Sequence, residues 1–433
     1  MCRSTLTATS SHEFSRSTQF AEIADEFVKE IEGKDLPAFK PGSCRRFIVP
    51  KDEIAYRQAT QLDPQDSIIF AALIYQYGQG IEDRRQSAKI VFSYRFLPDS
   101  QRGLYEKSPG WNEFWKSAYN AGESSKTVLC CDIADFYNQI YHHVVEQQLA
   151  ESSFPNQAIK WIISLLESTT AGVSRGIPVG PHPAHLIAEA ALIPIDNSLA
   201  SIGVHFLRFV DDILVFCDSE ASAKRSLASI ASTLDKQQRL MLQRHKTHIY
   251  NADVFCALSE SMMEDRPISD AEDSVLKIVR KYSGGNPYKT VSYNEISEED
   301  WKSLSEEVIG SMIRDYIERE PVDYIRLRWL YRRLTQIGHP GAIDISLDEI
   351  ARLGPCFANI CSYLASVQSI EPEKWPGIGG RLLGLLGHEE VRGNEYFRLS
   401  ILSLFTRNEH IDHFPALAEL YKSSEPFARR EIL

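Results

Sequence analysis

Apolar positions along this chain change their rhythm near residue 265. Upstream, short apolar runs of strand length alternate with stretches whose apolar residues recur every three or four positions. Downstream, helical spacing dominates and the strand-like runs fade. Residues 1–18 are rich in Ser and Thr and read as loose, while QFAEIADEFVKEI (19–31) places Phe20, Ile23, Phe27, Val28 and Ile31 at helical spacing. KPGSCRRFIVPKDEIAYR (40–57) predicts a strand pair, FIVPK followed by a return strand ending near Arg57, and residues 65–81 predict a helix. TVLCCDI (127–133) is an apolar strand ending in an acid, followed by the helical pattern FYNQIYHHVVEQQLA. Residues 182–200 predict another helix. VHFLRFV and ILVFC then flank Asp211 and Asp212, a hairpin signal with acids at its turn. An amphipathic helix over 219–240 and a short strand, KTHIY, complete the order strand–helix–helix–strand–strand–helix–strand. That order predicts an α+β fold with helices on one face of a small antiparallel sheet.

The C-terminal third reads as all-α. SLDEIARLGPCFANICSYLASV, RLLGLLG, YFRLSILSLFT and FPALAELYKS are apolar helical stretches separated by short Pro, Gly or Asn breaks, which suggests a helical-repeat array of HEAT type. FARREIL at the end is helix-like and uncapped, so either packing in an oligomer or a longer natural chain is expected to complete it.

At 433 residues the chain is long enough for two or three domains. Hydrophobic residues at 43% and charged residues at 24% exclude wholesale disorder. The net charge of −12 argues against a protein that coats nucleic acid by electrostatics alone, because counterion release needs a basic surface. It does not exclude a polymerase whose positive charge is confined to a groove. Residues 40–116 hold twelve Lys and Arg against nine Asp and Glu, so a phosphate partner is expected there, although solvated faces carry such clusters too. Eight cysteines without a CxxC pair suggest free thiols and a cytoplasmic setting. The polar opening MCRSTLTATSSHEFSRST lacks a signal-peptide core, and the absence of an 18-residue apolar run predicts no membrane span.

Asp132, Asp211 and Asp212 each end or interrupt an apolar strand, where a carboxylate is costly unless paired or bound to a cation. If the Asp132 strand lies beside the 204–217 hairpin, three carboxylates meet at one sheet edge. Such a cluster favours Mg2+, a hard cation preferring oxygen ligands. Alone, the doublet fits a plain tight turn better than a metal site, and Asp132 alone fits a helix N-cap equally well.

Four blocks in order resemble the reverse transcriptase family. CCDIADFYNQI is similar to its motif A, GIPVGPHPAHLIAEAAL to motif B, RFVDDILVF to motif C and LMLQRHKTHI to motif D; IVPKDEIAYR and the helix after it resemble the fingers blocks. The resemblance covers about 45–250. Within the family, VFSYRF and GIPVGP resemble prokaryotic abortive-infection and defence-associated enzymes, which often carry C-terminal helical repeats. The organisation so implied is a right-hand polymerase: an N-terminal helical extension over 1–39, fingers and palm over 40–255, a helical thumb-like region over 256–340 and HEAT-like repeats over 341–433.

The resemblance implies that Asp132 and Asp211 hold two Mg2+ ions, with Asp212 completing the acid cluster and the Ile133 carbonyl as a further ligand. It assigns Lys51 and Arg57 to the triphosphate, the amides of Ala134, Asp135 and Phe136 to the same phosphates, and Lys246 to protonation of pyrophosphate. Tyr137 is implied to lie under the incoming sugar and exclude a 2′-hydroxyl, and Gly176, Pro178 and Gly180 to shape a loop against template and nucleotide. Plainer readings stand beside these: Phe136 as core, Lys51 and Arg57 as solvated hairpin charges, Lys246 as a surface lysine. Val179 and Ala184 depart from the family's usual glutamine and serine at positions that bear on template handling. Arg326, Arg328, Arg332 and Arg333 fit either a thumb contacting a nucleic-acid backbone or a salt-bridged helix.

The activity implied is Mg2+-dependent addition of dNTPs to a primer, with a non-coding RNA as one template source and DNA as product, in anti-phage defence. Template-independent or protein-primed synthesis by the same site is an alternative, as are an RNA-synthesising polymerase and a vestigial polymerase serving as a protein-binding scaffold. A homo-oligomer and a second defence protein are further expected partners.

Overall fold

The computed structural model describes residues 29, 32–99, 103–106, 110–263, 267–284, 290–367, 370–405, 410–425, 428–429 and 432. The helix expected over 19–31 and most of the FARREIL segment lie outside the described residues. In chain order the strands are β1 (Arg45–Pro50), β2 (Tyr56–Gln61), β3 (Phe96–Asp99), β4 (Gly103–Tyr105), β5 (Thr127–Asp132), β6 (Phe206–Phe209), β7 (Asp212–Cys217) and β8 (His248–Asn251). Helices of the first half are α1 (Pro64–Tyr77), α2 (Gln79–Glu82), α3 (Gly110–Glu123), α4 (Phe136–Gln139), α5 (His142–Glu151), α6 (Asn156–Thr169), α7 (Ala184–Ser201), α8 (Glu220–Gln238) and α9 (Ala252–Met262). The second half is helical: α10 (Asp270–Ser283), α11 (Glu298–Ser303), α12 (Glu306–Glu318), α13 (Tyr324–Ile337), α14 (Ile343–Asp348), α15 (Phe357–Ser366), α16 (Trp375–Leu385), α17 (Glu389–Arg392), α18 (Glu395–Phe405) and α19 (Phe414–Ser423).

Local chemistry explains the boundaries. Asp63 caps α1 by accepting from the Gln65 amide, with Pro64 at the first helical position. Ser219 and Ser222 form a reciprocal capping box at α8. In the helical half, Asp323 caps α13, and Gly338 ends it at φ +63°.

β5 to β8 form one antiparallel sheet in the order β6–β7–β5–β8. Alternation sends Leu129 and Cys131 to one face and Val128 and Cys130 to the other. The first face packs on α7 and α8. The second is covered by Phe114, Trp115 and Ala118 of α3 and Phe255 of α9. Helices therefore lie on both faces rather than the one expected, because α3, whose Trp111, Phe114, Trp115 and Ala118 recur at helical spacing, joins α9 in closing a second layer. The pattern over 136–150 also splits into two helices. Ile140 and Tyr141 are extended and pair with the 174–176 loop, the Gly176 amide donating to the Ile140 carbonyl at 2.8 Å.

The β1–β2 hairpin differs from its expected form. The return strand begins at Tyr56 rather than ending near Arg57, because residues 51–55 form the turn, with the Asp52 carboxylate accepting from the Ile54 and Ala55 amides at 3.1 and 2.8 Å. Its buried residues Phe47 and Ala59 belong to the core of the helical half, a cluster reaching from Val275 to Ile411. The Phe47 and Tyr396 rings stack 5.9 Å apart, and Arg45 pairs with Glu395 at 2.7 Å.

Candidate active site

The end of β5 lies directly against the β6–β7 turn. Asp132 is the register partner of Asp212, and the Ile133 amide donates to the Asp211 carbonyl at 3.1 Å. Directly opposed residues of an antiparallel pair carry their Cβ atoms about 5 Å apart on one face. Asp132 is buried, whereas Asp211 and Asp212 are half-buried. Burial pushes the Asp211 carboxyl above the usual range, and Asp132 adds to it while Lys246 and Arg57 oppose. Asp212 is pushed up to about 7, first by burial and then by the charge of Asp211.

Three cations surround this edge. Lys246, in a short 3-10 turn before β8, pairs through Nζ with Asp132 Oδ2. Burial works against its charge, yet that hydrogen bond and the three acids hold its pKa above the ordinary lysine value. Lys51 is half-buried at the β1–β2 turn. Burial lowers its pKa, with Lys246 and Arg57 adding and Asp132 and Asp211 opposing, so its ammonium shares the field of the same acids. Arg57 stands opposite Val49 on β2 and acts on Asp211. The hairpin is held in place twice: the Thr60 amide donates to the Val179 carbonyl at 2.8 Å, and Arg328 Nη2 donates to the Lys51 carbonyl at 2.6 Å.

All-oxygen acidic donors suit a hard divalent cation such as Mg2+. Among the described residues no three acidic, His or Cys side chains are drawn close enough to hold an ion by themselves. That is the normal condition for Mg2+, which takes one or two carboxylates and completes its shell with water and substrate phosphate. The Lys246 ammonium against Asp132 puts positive charge where the acid cluster requires it. The residues therefore fit such an ion.

One of the amides expected at the phosphates is already paired. The Ala134 amide donates to the Met241 carbonyl at 2.8 Å, closing a bridge between Ile133 and Leu242, and is not available to a phosphate. The Phe136 side chain is buried in the core, as its plainer reading has it. Asp135 takes a left-handed backbone at φ +48° and accepts from Asn138 Nδ2 at 2.7 Å. Tyr137 is half-buried, its hydroxyl 2.8 Å from His185 Nδ1. Gly176 and Gly180 take φ +105° and +126°, conformations that favour glycine, with buried Pro178 between them. Two arginines of α13 face inward, Arg326 pairing with Glu272 at 3.2 Å and Arg333 donating to Gln336 at 2.6 Å, while Arg328 and Arg332 are half-buried.

Sequence patterns missed His185 and Tyr94. The two rings stack 4.0 Å apart at 2°, and burial lowers His185 to about 3, so a neutral imidazole backs Tyr137. The available signal was a polar His185 within the otherwise apolar start of α7.

The family model described as reverse transcriptase (RNA-dependent DNA polymerase) matches residues 81–293. No curated protein is matched. Among solved structures the chain is similar to apo telomerase from Candida tropicalis, with 10% identity, 96% of this chain and 74% of that chain covered, and a TM-score of 0.38. It is also similar to telomerase from Candida albicans in complex with a TWJ fragment of telomeric RNA, with 11% identity, 90% and 70% covered, and a TM-score of 0.36. Both overlaps are loose. The chain thus carries a reverse transcriptase domain match over residues 81–293, and that stretch encloses Asp132, Asp211 and Asp212.

Proposed function

We propose that the protein is a Mg2+-dependent DNA polymerase that adds dNTPs to a primer hydroxyl, with Asp132, Asp211 and Asp212 holding the metal. The observation that carries this reading is the β5–β7 register, which opposes Asp132 to Asp212 within the field of Lys51, Arg57 and Lys246. Bound divalent ions would activate the primer hydroxyl and stabilise charge on the departing pyrophosphate. Lys51 and Arg57 offset triphosphate charge. Lys246 leaves Asp132 when the nucleotide arrives and gives its Nζ proton to pyrophosphate. Tyr137, braced by His185, lies under the sugar and rejects a 2′-hydroxyl. VFSYRF, GIPVGP and the helical C-terminal half support a role in anti-phage defence.

The test is dNTP incorporation by the purified full chain beside Asp211→Asn. Incorporation confined to the unaltered protein is expected; equal signal from both removes the enzyme reading. Tyr137→Ala is expected to admit NTPs, and an unchanged dNTP preference would reject the sugar-gate role. In cells, Asp211→Asn is expected to lose phage protection, and full protection by that variant would reject the defence role.

A further inference from the structure

Val210, immediately before the acid doublet, takes φ +54°, a left-handed conformation that a β-branched residue rarely adopts. Both of its backbone polar groups are gripped by buried side chains. Its amide donates to Ser93 Oγ at 3.0 Å, and its carbonyl accepts from Arg208 Nη1 at 2.8 Å. Ser93 Oγ donates in turn to Glu189 Oε1 at 2.5 Å. Glu189 Oε2 accepts from Arg85 Nη2 at 2.8 Å and Arg208 Nη2 at 2.9 Å. Arg208 also forks onto Asp196 through Nε and Nη2, at 2.7 and 2.6 Å.

These side chains are almost wholly out of water, none of the four charged ones more than 1% exposed. A buried charge network of this kind gains little net stability over apolar packing of the same volume. What apolar packing could not do is hold an amide and a carbonyl at fixed positions. The groups come from separate places: Arg85 and Ser93 from the segment between α2 and β3, Glu189 and Asp196 from α7, Arg208 from β6. They meet on the one residue that turns the chain into Asp211 and Asp212.

We propose that Ser93, Glu189 and Arg208 are positioning residues that clamp Val210 in its left-handed conformation and thereby aim Asp211 and Asp212 at a divalent cation. The proposal rests on the reading of these acids as metal-holding groups. Losing the Ser93 hydroxyl leaves the Val210 amide unsatisfied and frees the turn.

The test uses the purified full chain as Ser93→Ala, with Ile162→Val, a buried apolar change elsewhere in the same core, as a control for ordinary destabilisation. Two quantities are read without turnover: hydrogen exchange over residues 206–213, and Mn2+ affinity from the paramagnetic resonance of free Mn2+. Ser93→Ala is expected to exchange faster over that segment and to bind Mn2+ about tenfold more weakly, as for outer partners of metal ligands. Excess Mg2+ is expected to restore most of its incorporation rate. Ile162→Val should lose stability with neither change. Unaltered exchange or unaltered Mn2+ affinity in Ser93→Ala overturns the clamp, as does Mn2+ binding by the unaltered protein that Asp211→Asn leaves intact. Asp211-dependent Mn2+ binding without dNTP incorporation would remove the polymerase reading alone, leaving the clamp to be judged by exchange and affinity.

Discussion

Two hairpins supply opposite charges to one place and are supported in different ways. β6–β7 carries the acids and lies inside its own domain, flanked by β5 and packed between α7 and α8 on one face and α3 and α9 on the other. β1–β2 carries Lys51 and Arg57, and its apolar face joins the core of the helical half through Phe47, Ala59 and Tyr396. The acidic hairpin falls within the residues matched by the family model, and the basic one precedes them. The acidic half of the site is thus built by the domain itself, whereas the basic half depends on residues far along the chain. Chemistry and nucleotide affinity should accordingly respond to different substitutions.

The largest separation is expected from Asp132→Asn, which should bring dNTP incorporation below detection while nucleotide binding persists, as measured by fluorescent dNTP titration. If binding vanished as well, the two halves would not be separable. Phe47→Ala comes next. Truncating a buried aromatic costs about 3–5 kcal/mol, and here the loss falls on the hairpin's seat against Tyr396. Its KM for dNTP should rise strongly while the rate at saturation is retained, and a fall in kcat alone would contradict the split. Arg328→Ala should act in the same sense but less. Arg328 bridges the Lys51 and Pro355 carbonyls at 2.6 and 3.2 Å, and a charged hydrogen bond of this kind is worth roughly 1.5–3 kcal/mol. Arg328→Lys should recover little, because one ammonium cannot reproduce the planar fork. Steady-state KM and kcat measured side by side decide both cases.

The acidic hairpin was legible in the sequence because its signals are local. Apolar runs of strand length bracket Asp211 and Asp212, and a matching run ends at Asp132, so charge at strand ends drew attention without knowledge of the fold. The strands β5 to β8 and the helices α5, α7 and α8 between them were also readable from their own periodicity, whereas α6 and the short β3–β4 pair were not read. α3 was legible too, since Trp111, Phe114, Trp115 and Ala118 recur at helical spacing, but that stripe does not say that it covers the second face of the sheet. The seat of β1–β2 escaped for a similar reason. Alternation marks Phe47 as inward and Ile48 as outward, but it cannot say that the inward face meets a helix some 350 residues later. Arg208 and Glu189 stood in plain view inside apolar segments, yet their partners are brought together only by the packing of α7 on the sheet.

The smallest effect sharpens the comparison through pH. Asp212 is raised to about 7, whereas an unfolded aspartate titrates near 3.9. Between those values the folded chain binds more protons than the unfolded one, so stability falls as pH rises and the full penalty is present above about 7. A divalent cation that binds the ionised carboxylates relieves that penalty, and such binding strengthens as the ligands lose their protons. Mg2+ should therefore raise Tm by more at about pH 8 than at about pH 5.5. The difference should shrink in Asp212→Asn, where Asp211 alone of the raised pair remains, and persist in full in Arg328→Ala, because Arg328 acts on the basic hairpin. Calorimetric scans with and without Mg2+ at both pH values decide it. An equal Tm rise at the two values would detach the acid cluster from metal binding, and a lost pH difference in Arg328→Ala would mean that the two hairpins do not act independently.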